Sequence, residues 1–483
     1  MTRRLLYIIG AVVAGAGATM VPSALVGFMY GEVADGLWIL AAAGVTIACG
    51  VAAWRWLGRT GVLTTKEGFA AVGLSWFAIS AFGSLPYLMT GDITNLIDAF
   101  FETASGFTTT GASILADPAD LGRGVLFWRS TTQWVGGMGI IVLSIAVLPL
   151  LGVGGVQLAR AESPGPTPDR LTPRFQETAR RLWWLYVGFT IIEALLLWAG
   201  DMDLFQAVNH SFTTMSTGGF GTEATSLGGF SAYTQWVVTA FMFLAGVSFA
   251  LHFRALSRPR SYLESAEFLL FGAIGLVATA VIFGGIMGPG VEIGQALRDA
   301  AFTAMTLVTT TGFATADFGL WRPALQIFVV GLMFLGGMAG STAGGVKTFR
   351  VGILTKAAAA DLRRLVHPRG VFITRFGKDR VRDDVVESIQ SFFLFYMFLF
   401  MTGTFLVAFF DANSAEGLDL VTSASAVAAS IGNIGPGLGD VGPTGNYASV
   451  PGMGKLLLSW LMIVGRLEIF PVLLLFNRDL WRR

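Results

Sequence analysis

Four copies of one short pattern constrain how this chain can fold. Each copy is an apolar stretch too short to cross a bilayer, followed at once by a segment that contains a glycine. These segments are Thr109-Thr110-Gly111, Thr217-Gly218-Gly219, Thr310-Thr311-Gly312 and Asn433-Ile434-Gly435. Four equivalent segments in one chain can surround a single axis, so the pattern predicts pseudo-symmetric repeats.

The repeat extends upstream of the glycines, which matters because a chain with 62 glycines matches at single positions by chance. A leucine precedes each glycine by fifteen residues, and a small residue precedes it by twelve. They are Leu96, Leu204, Leu297 and Leu420, with Ala99, Ala207, Ala300 and Ser423. The positions fifteen, eleven and seven before the glycine form one apolar helix face. We therefore expect a short helix before each glycine.

A helix of about 10 residues is roughly 15 Å long, about half the thickness of the hydrocarbon core. Each one lies between two long apolar segments, so a repeat is expected to run helix, re-entrant half-helix, glycine segment, helix. Non-helical backbone at membrane depth is tolerated only where protein buries it or water lines it. Glycine lets the chain aim carbonyl oxygens at the axis, where they replace the water shell of a monovalent cation. A single copy would be better explained by helix packing through threonine and glycine, but four aligned copies favour a pore.

The composition is that of a membrane protein. Apolar residues make up 54% of the 483 residues, charged residues make up 13%, and the mean hydropathy is +0.66. Soluble domains carry about 25% charged residues. Cys49 is the one cysteine, which excludes an intrachain disulfide, and His210, His252 and His367 do not lie at metal-ligand spacing. A helical bundle without a catalytic residue is therefore expected.

Hydropathy predicts ten spans, at 5–29, 37–55, 68–90, 125–151, 182–200, 233–253, 266–287, 324–358, 385–410 and 453–476. With both termini in the cytoplasm, 26 of the 32 Lys and Arg residues lie on the inner side, in agreement with the positive-inside rule. More than half of the acidic residues lie outside, which favours a cation as substrate, although the positive-inside bias alone also explains this excess. Arg3-Arg4 and the first apolar run also fit a signal peptide, but the second apolar run directly after them favours a transmembrane hairpin.

The four glycine segments resemble those of the TrkH, KtrB and HKT superfamily of potassium transporters, and of its TrkH branch in particular. Two further stretches carry the resemblance, Gly336-Gly337-Met338-Ala339-Gly340-Ser341-Thr342-Ala343-Gly344-Gly345-Val346-Lys347 and Gly465-Arg466-Leu467-Glu468-Ile469-Phe470. The resemblance implies an all-α polytopic membrane protein with four pseudo-symmetric repeats around one ion pore and an N-terminal two-helix hairpin. The expected divisions are 1–58 for the hairpin and 59–165, 166–260, 261–370 and 371–483 for the four repeats.

The resemblance also implies a function. It implies potassium uptake across the bacterial cytoplasmic membrane, with K+ as the substrate at the filter glycines, no covalent cofactor and no nucleic acid. It implies a homodimer in the lipid bilayer, with one pore in each protomer, and a cytoplasmic nucleotide-binding regulatory subunit of the TrkA type. Glycine in all four filter segments goes with potassium preference, whereas serine in the first goes with sodium-permeable relatives. The fourth segment departs from the threonine-rich pattern, so the contribution of its side chains is open.

Two elements are candidates for a gate. The segment 336–345 contains five glycines in ten residues, so a helix should break there. Its candidate residues are Gly336, Gly337, Gly340, Ser341, Thr342, Gly344 and Gly345, with Lys347 directly after them. Close helix packing through glycines at four-residue spacing explains the segment equally well from the residues alone. The resemblance favours an intramembrane loop beneath the filter.

Arg466 is the second candidate, since it is the only basic residue deep in a predicted span. A charge at that depth is costly and usually has a partner. It is either a structural arginine bound to loop carbonyls or to Glu193, or a positive barrier in the ion path, and the resemblance favours the barrier. Glu468 projects about 200° away around the same helix and should not face it.

Two other classes of protein are alternatives to a channel-like pore. A membrane-embedded enzyme needs a nucleophile, an acid pair or a metal set near one interface, and the chain shows none. An alternating-access symporter coupled to Na+ or H+ would show paired broken helices in two inverted halves, whereas this chain has four like-oriented units. The basic stretch from Lys347 to Arg382 is either solvated charge on the inner side or a docking surface for the regulatory subunit.

Overall fold

The computed structural model describes residues 2–57, 65–147, 171–411 and 417–478. The regular secondary structure of these residues is helical, apart from two short antiparallel strands, β1 (Arg375–Phe376) and β2 (Asp379–Arg380), which form a hairpin. The helices are α1 (Thr2–Met29), α2 (Val33–Leu57), α3 (Thr65–Gly83), α4 (Leu85–Thr90), α5 (Leu96–Phe107), α6 (Arg123–Val147), α7 (Leu171–Trp198), α8 (Leu204–Met215), α9 (Ala232–Gly246), α10 (Phe249–Ser257), α11 (Ser261–Glu264), α12 (Ala266–Ile286), α13 (Ile293–Val308), α14 (Pro323–Met333), α15 (Thr348–Val366), α16 (Asp383–Phe410), α17 (Leu420–Gly432), α18 (Gly452–Arg466) and α19 (Phe470–Leu473). Four single-turn 3-10 helices complete the set, at Pro118–Asp120, Phe318–Leu320, Gly439–Val441 and Leu474–Phe476.

Six helices in the described ranges are long and apolar enough to cross a membrane, or eight if each of two bent helix pairs is one span. The bent pairs correct two predicted spans, because the chain turns by 96° between α9 and α10 and by 118° between α18 and the last described turns. At the first bend the carbonyl of Gly246 accepts a hydrogen bond from Met338 N at 2.8 Å instead of continuing the helix. At the second, Glu468 and Ile469 have φ of 58° and 65°, values that no α-helix contains.

The predicted span 324–358 is also broken. Helix α14 ends at Met333, and α15 begins at Thr348. Between them the chain is not helical, as the run of glycines predicts. The alternative of helix packing through these glycines is therefore wrong.

Four short helices, α5, α8, α13 and α17, occupy the predicted half-helix positions. They contain 12, 12, 16 and 13 residues, which corresponds to about 18 to 24 Å and exceeds the predicted length. Asn95, Asp203 and Asp419 cap the first, second and fourth with side-chain hydrogen bonds, so these three helices begin at the predicted leucines. The third begins one turn earlier, at Ile293, and its leucine is Leu297.

Each half-helix lies between two other helices along the chain, and the four units surround one axis, so the predicted fold class is confirmed. The half-helices are followed by α6, α9, α14 and α18 respectively. The predicted divisions at 58/59 and 165/166 lie outside the described residues. Those at 260/261 and 370/371 lie between the long helices, and all four divisions stay predictions.

The N-terminal hairpin, α1 and α2, packs through small residues and onto the first repeat. A Cβ on Gly50 would lie 2.5 Å from Ala14 N, so the two helices approach with backbone in contact. Glu32, in the turn between them, reaches the start of α6. Its carboxylate accepts hydrogen bonds from Arg123 N at 2.8 Å and from Gly124 N at 3.0 Å. These N–H groups have no partner within α6, so Glu32 caps it from another part of the chain.

We expect Glu32→Ala to lower stability by about 1 to 2 kcal/mol, because two charge-assisted hydrogen bonds at a helix N-terminus are lost. The measurement is the thermal unfolding midpoint of the purified protein in detergent. Glu292→Ala is the matched control, since Glu292 also stands at the N-terminus of a helix but makes no capping hydrogen bond. An equal decrease in both variants would contradict a capping role for Glu32.

Candidate ion pathway

All four half-helices end in the same backbone motif. The residue two before each glycine has a left-handed φ: 53° at Thr109, 52° at Thr217, 57° at Thr310 and 55° at Asn433. The next residue donates its N–H to the carbonyl five residues earlier, at 2.8 to 2.9 Å in each repeat. This is the Schellman ending of a helix, and it turns the chain from the half-helix into the glycine segment. The fourth segment therefore has the same backbone as the others despite its different residues.

Three of these left-handed positions carry threonine, which is an unfavourable choice. A β-branched residue at positive φ is a real outlier, whereas asparagine tolerates that region. Neighbouring hydroxyls brace two of the three segments, since the Oγ1 atoms of Thr108 and Thr110 are 2.8 Å apart, as are those of Thr309 and Thr311. Strain of this kind persists only where the surroundings enforce it, and it is concentrated at functional sites.

The glycines close a ring in which each repeat contacts the next. A Cβ on Gly111 would lie 2.2 Å from the carbonyl oxygen of Gly218, and one on Gly219 would lie 2.1 Å from that of Thr311. A Cβ on Gly312 would lie 1.8 Å from the oxygen of Ile434, and one on Gly435 would lie 2.8 Å from that of Thr110. In every case the oxygen belongs to the residue before the glycine of the following repeat. The ring thus runs through repeats one, two, three, four and back to one.

Beyond each glycine the chain is tied back to its own half-helix. The tie is always at the third residue after the glycine, but its chemistry differs. The four contacts are Ile114 N to Glu102 Oε2 at 3.0 Å, His210 Nε2 with Thr222 Oγ1 at 3.1 Å, Thr315 Oγ1 to Asp299 Oδ1 at 3.0 Å, and Leu438 N to Ser425 Oγ at 2.8 Å. Sequence reasoning assigned none of these half-helix residues a role. Their polarity within apolar half-helices was the available signal.

The side chain of Asn433 links the fourth repeat to the first. Its Nδ2 donates to Thr110 Oγ1 and to the carbonyl of Met462, each at 2.9 Å. Asn433 is completely buried. The departure from threonine in the fourth segment therefore supplies a bridge between two neighbouring segments.

The glycine-rich loop 334–347 lies against three of the four repeats. Thr342 Oγ1 donates to the carbonyls of Met215 and Ala245, at 3.0 and 3.2 Å, in the second repeat. Gly344 N donates to Thr310 Oγ1 at 2.6 Å, directly at the third glycine segment. A Cβ on Gly344 would lie 2.4 Å from the carbonyl oxygen of Gly432 in the fourth repeat. The loop is therefore packed immediately beneath the ring.

Within the loop, Gly336, Gly340 and Gly345 have positive φ, and so does Lys347, at 72°. A Cβ on Gly337 would lie 2.7 Å from the Cβ of Ala343, so the loop folds closely on itself. Ser341 Oγ donates to Met338 O at 2.6 Å, and Lys347 Nζ donates to Ala343 O. The candidate gate residues from Gly336 to Lys347 thus lie in one compact element, whereas Arg466 lies at the end of α18.

Arg466 is buried against the same loop. Its Nη1 donates to the carbonyl of Thr342 at 2.6 Å, and its Nη2 donates to that of Gly136 at 3.3 Å. Among the described residues, no ion pair joins it to Glu193, and its partners are one loop carbonyl and one carbonyl of helix α6. Glu468 lies beyond the end of α18, so the prediction that it projects from the same helix is wrong, and it pairs with Arg350 at 2.5 Å. A buried guanidinium without a carboxylate partner leaves positive charge beside the loop.

No group of three His, Cys, Asp or Glu side chains suited to a metal ion occurs in the ranges that the structure describes. Together the half-helices, the ring of glycines and the loop define a class: a membrane transport protein built from four pore repeats. The chain belongs to the TrkH family of cation transport proteins, whose sequence pattern it matches over residues 39–482, and as a member of a transporter family it is not an enzyme.

Named relatives and a solved structure agree with the family. The Trk system potassium uptake protein TrkH of Halomonas elongata is 38% identical, over 100% of this chain and 99% of its own length. The protein of the same name from Escherichia coli K12 is 36% identical over 99% of both chains. The crystal structure of the potassium transporter TrkH from Vibrio parahaemolyticus superposes with a TM-score of 0.91 at 34% identity and covers 100% of both chains. The resemblance drawn from the sequence is confirmed.

Proposed function

We propose that this protein takes up K+ across the bacterial cytoplasmic membrane through a channel-like pore. The selectivity filter is formed by the four glycine segments, at residues 109–111, 217–219, 310–312 and 433–435. The observation that carries the proposal is the closed ring in which a carbonyl oxygen of each repeat lies against the glycine of its neighbour. The relatives described above are named as potassium uptake proteins.

The proposed filter works through its backbone. A dehydrated K+ needs oxygens in place of its water shell, and rings of carbonyls supply them. The half-helices direct their C-terminal ends, with partial negative charge, toward the ring, which favours a cation there. Because the left-handed residue and the glycine recur in every repeat, the backbone of the four walls is equivalent although the side chains differ.

The proposed gate consists of residues 336–345 and Lys347 of the glycine-rich loop, together with Arg466. The loop contacts the second, third and fourth repeats, so a change in its conformation would alter the pore directly beneath the filter. Arg466 supports this role because its guanidinium both binds the loop and carries a positive charge that repels cations. K+ passage then requires the loop and the arginine to move together.

The proposed assembly is a homodimer with both termini in the cytoplasm and a TrkA-type nucleotide-binding regulatory subunit beneath it. The surface from α15 through the β-hairpin supports a docking role, since it is basic and exposes large apolar side chains. Leu365 is 79% exposed and Val371 is 89% exposed. Solvated charge alone would not require apolar groups at these positions.

The proposal is tested by K+ flux into liposomes that contain the purified protein. Uptake driven by an imposed membrane potential, without a Na+ or pH gradient, is expected. Uptake that requires either gradient would instead support the cation-coupled symporter. Absence of K+ uptake by correctly folded protein under every gradient would overturn the proposal.

A further inference from the structure

We propose that three buried polar residues of the first repeat, Glu102, Arg129 and Gln133, are positioning residues that set the spacing between the first and second filter segments and thereby the preference for K+ over Na+. The inference rests on the proposed function of these segments as a filter. It concerns only the junction between repeats one and two.

Glu102 and Arg129 form an ion pair behind the first segment. Arg129 Nε lies 2.7 Å from Glu102 Oε1, and the side chains are only 3% and 0% exposed. The carboxylate also accepts from Ser113 Oγ and from Ile114 N, each at 3.0 Å, just after Gly111. The carboxylate therefore fixes the end of the first filter segment relative to helix α6.

The same helix holds the second segment. Arg129 Nη1 donates to the carbonyl of Gly221 at 3.0 Å, and its Cζ lies 3.5 Å from the centre of the Phe220 ring. One helical turn further on, Gln133 Nε2 donates to the carbonyl of Gly218 at 2.7 Å, while its Oε1 accepts from Phe220 N at 3.1 Å. Gln133 thus binds the backbone on either side of Gly219, and Arg129 binds it two residues after Gly219.

The oxygen of Gly218 makes this junction part of the ring itself. It is the atom that lies against Gly111, and Gln133 fixes its position. Helix α6 is in turn set closely against the first half-helix, because a Cβ on Gly136 would lie 1.9 Å from the carbonyl oxygen of Phe107. Glu102, Arg129 and Gln133, which we call the strap, therefore connect the first filter segment to the second through an unbroken series of contacts.

No other repeat carries these residues at the matching positions. The seventh residue of the helix after the filter is Arg129 in the first repeat, but Val238, Val329 and Leu458 in the others. The eleventh is Gln133 in the first repeat and Met242, Met333 and Met462 in the others. Nine residues before the glycine, Glu102 corresponds to His210, Thr303 and Ala426. All these counterparts are buried, so the difference is one of chemistry and not of exposure.

This asymmetry has a physical consequence. A buried ion pair is expensive to desolvate and is often no more stabilising than apolar residues of similar volume. The other three repeats have apolar side chains at the seventh and eleventh positions of the corresponding helix. The fold alone therefore does not require the ion pair between Glu102 and Arg129. Its directional hydrogen bonds hold two backbone segments at a defined separation, which apolar packing does less strictly. A filter distinguishes K+ from Na+ by how its oxygens are held, so the separation of the walls matters.

The experiment compares the ratio of K+ to Na+ flux in liposomes for the wild type and for the double variant Glu102→Thr with Arg129→Val. The double variant gives the first repeat the residues of the third and leaves no unpaired buried charge, so it is designed to fold. We expect its flux ratio to fall by about tenfold, equivalent to about 1.4 kcal/mol of discrimination. Gln133→Met, which introduces the residue of the other three repeats, should shift the ratio in the same direction by a smaller factor.

The matched control is Asp98→Asn with Lys455→Met, which removes an ion pair of 2.7 Å from the same half-helix without touching a filter segment. Its flux ratio should stay at the wild-type value. A folded double variant at Glu102 and Arg129 that keeps the wild-type ratio would overturn the inference while leaving the proposed function intact. An equal loss in the control would also overturn it. Failure of the wild type to take up K+ would overturn the proposed function itself.

Discussion

Gly312→Ala is expected to abolish potassium uptake. A methyl group there would lie 1.8 Å from the carbonyl oxygen of Ile434, and its next neighbours are the carbonyl carbon of Ile434 and a ring carbon of Pro436, none of which is the end of a flexible side chain. The residue also has a φ of 89°, which disfavours any side chain. We expect K+ flux in liposomes to fall by about 100-fold or more, equivalent to about 2.7 kcal/mol on the barrier.

Two further alanine variants calibrate this result. Gly272→Ala lies within helix α12 with no atom within 4 Å of the added methyl, so its flux should equal that of the wild type. Gly435→Ala would place its methyl 2.8 Å from the nearest oxygen, and its loss should be smaller than that of Gly312→Ala. Similar losses at residues 272 and 312 would show that the ring does not carry the ion.

Arg466→Ala is expected to raise potassium uptake by about tenfold, because it removes both a buried positive charge from the proposed ion path and a tether of the gate loop. The guanidinium binds the carbonyls of Thr342 and Gly136, which belong to the loop and to helix α6. The measurement is the initial rate of K+ uptake per folded protein, with the folded amount taken from size-exclusion chromatography. A lower rate at equal folded amount would exclude the barrier.

Arg466→Lys separates the charge from the tether. Lysine keeps the positive charge but lacks the planar fork that reaches two carbonyls at once. If the charge is the barrier, the lysine variant should conduct like the wild type. Rates that rise equally in both variants would assign the effect to the loop contacts alone.

Much of the fold followed from patterns along the chain. The register of Leu96, Leu204 and Leu420 predicted where three half-helices begin, because a polar capping residue precedes each leucine. The glycines of 336–345 predicted a broken span, because glycine disfavours a helix at its own position. The bends after Gly246 and after Arg466 were missed, since residues far away in sequence determine them. The carbonyl of Gly246, for example, accepts a hydrogen bond from Met338 N in the loop.

The strap of the first repeat shows the same limit. The sequence motifs single out neither Arg129 nor Glu102 as a functional residue. The two are 27 positions apart, and only the packing of α6 between two half-helices brings them within 2.7 Å. A charged residue at the margin of an apolar span was the available signal, but the sequence does not reveal its partner.

The sequence by itself determined that the chain is a membrane protein with four half-helices, that a glycine follows each one, and that one later span is interrupted. These properties depend on local hydropathy and backbone freedom, which act over a few residues. The tertiary structure alone decided that the glycines form a closed ring, that the loop lies beneath it, and which carbonyls Arg466 binds. Those contacts join residues as far apart as Gly136 and Arg466, and they depend on how whole helices pack. The four repeats are therefore equivalent in backbone, while the side chains that brace them differ.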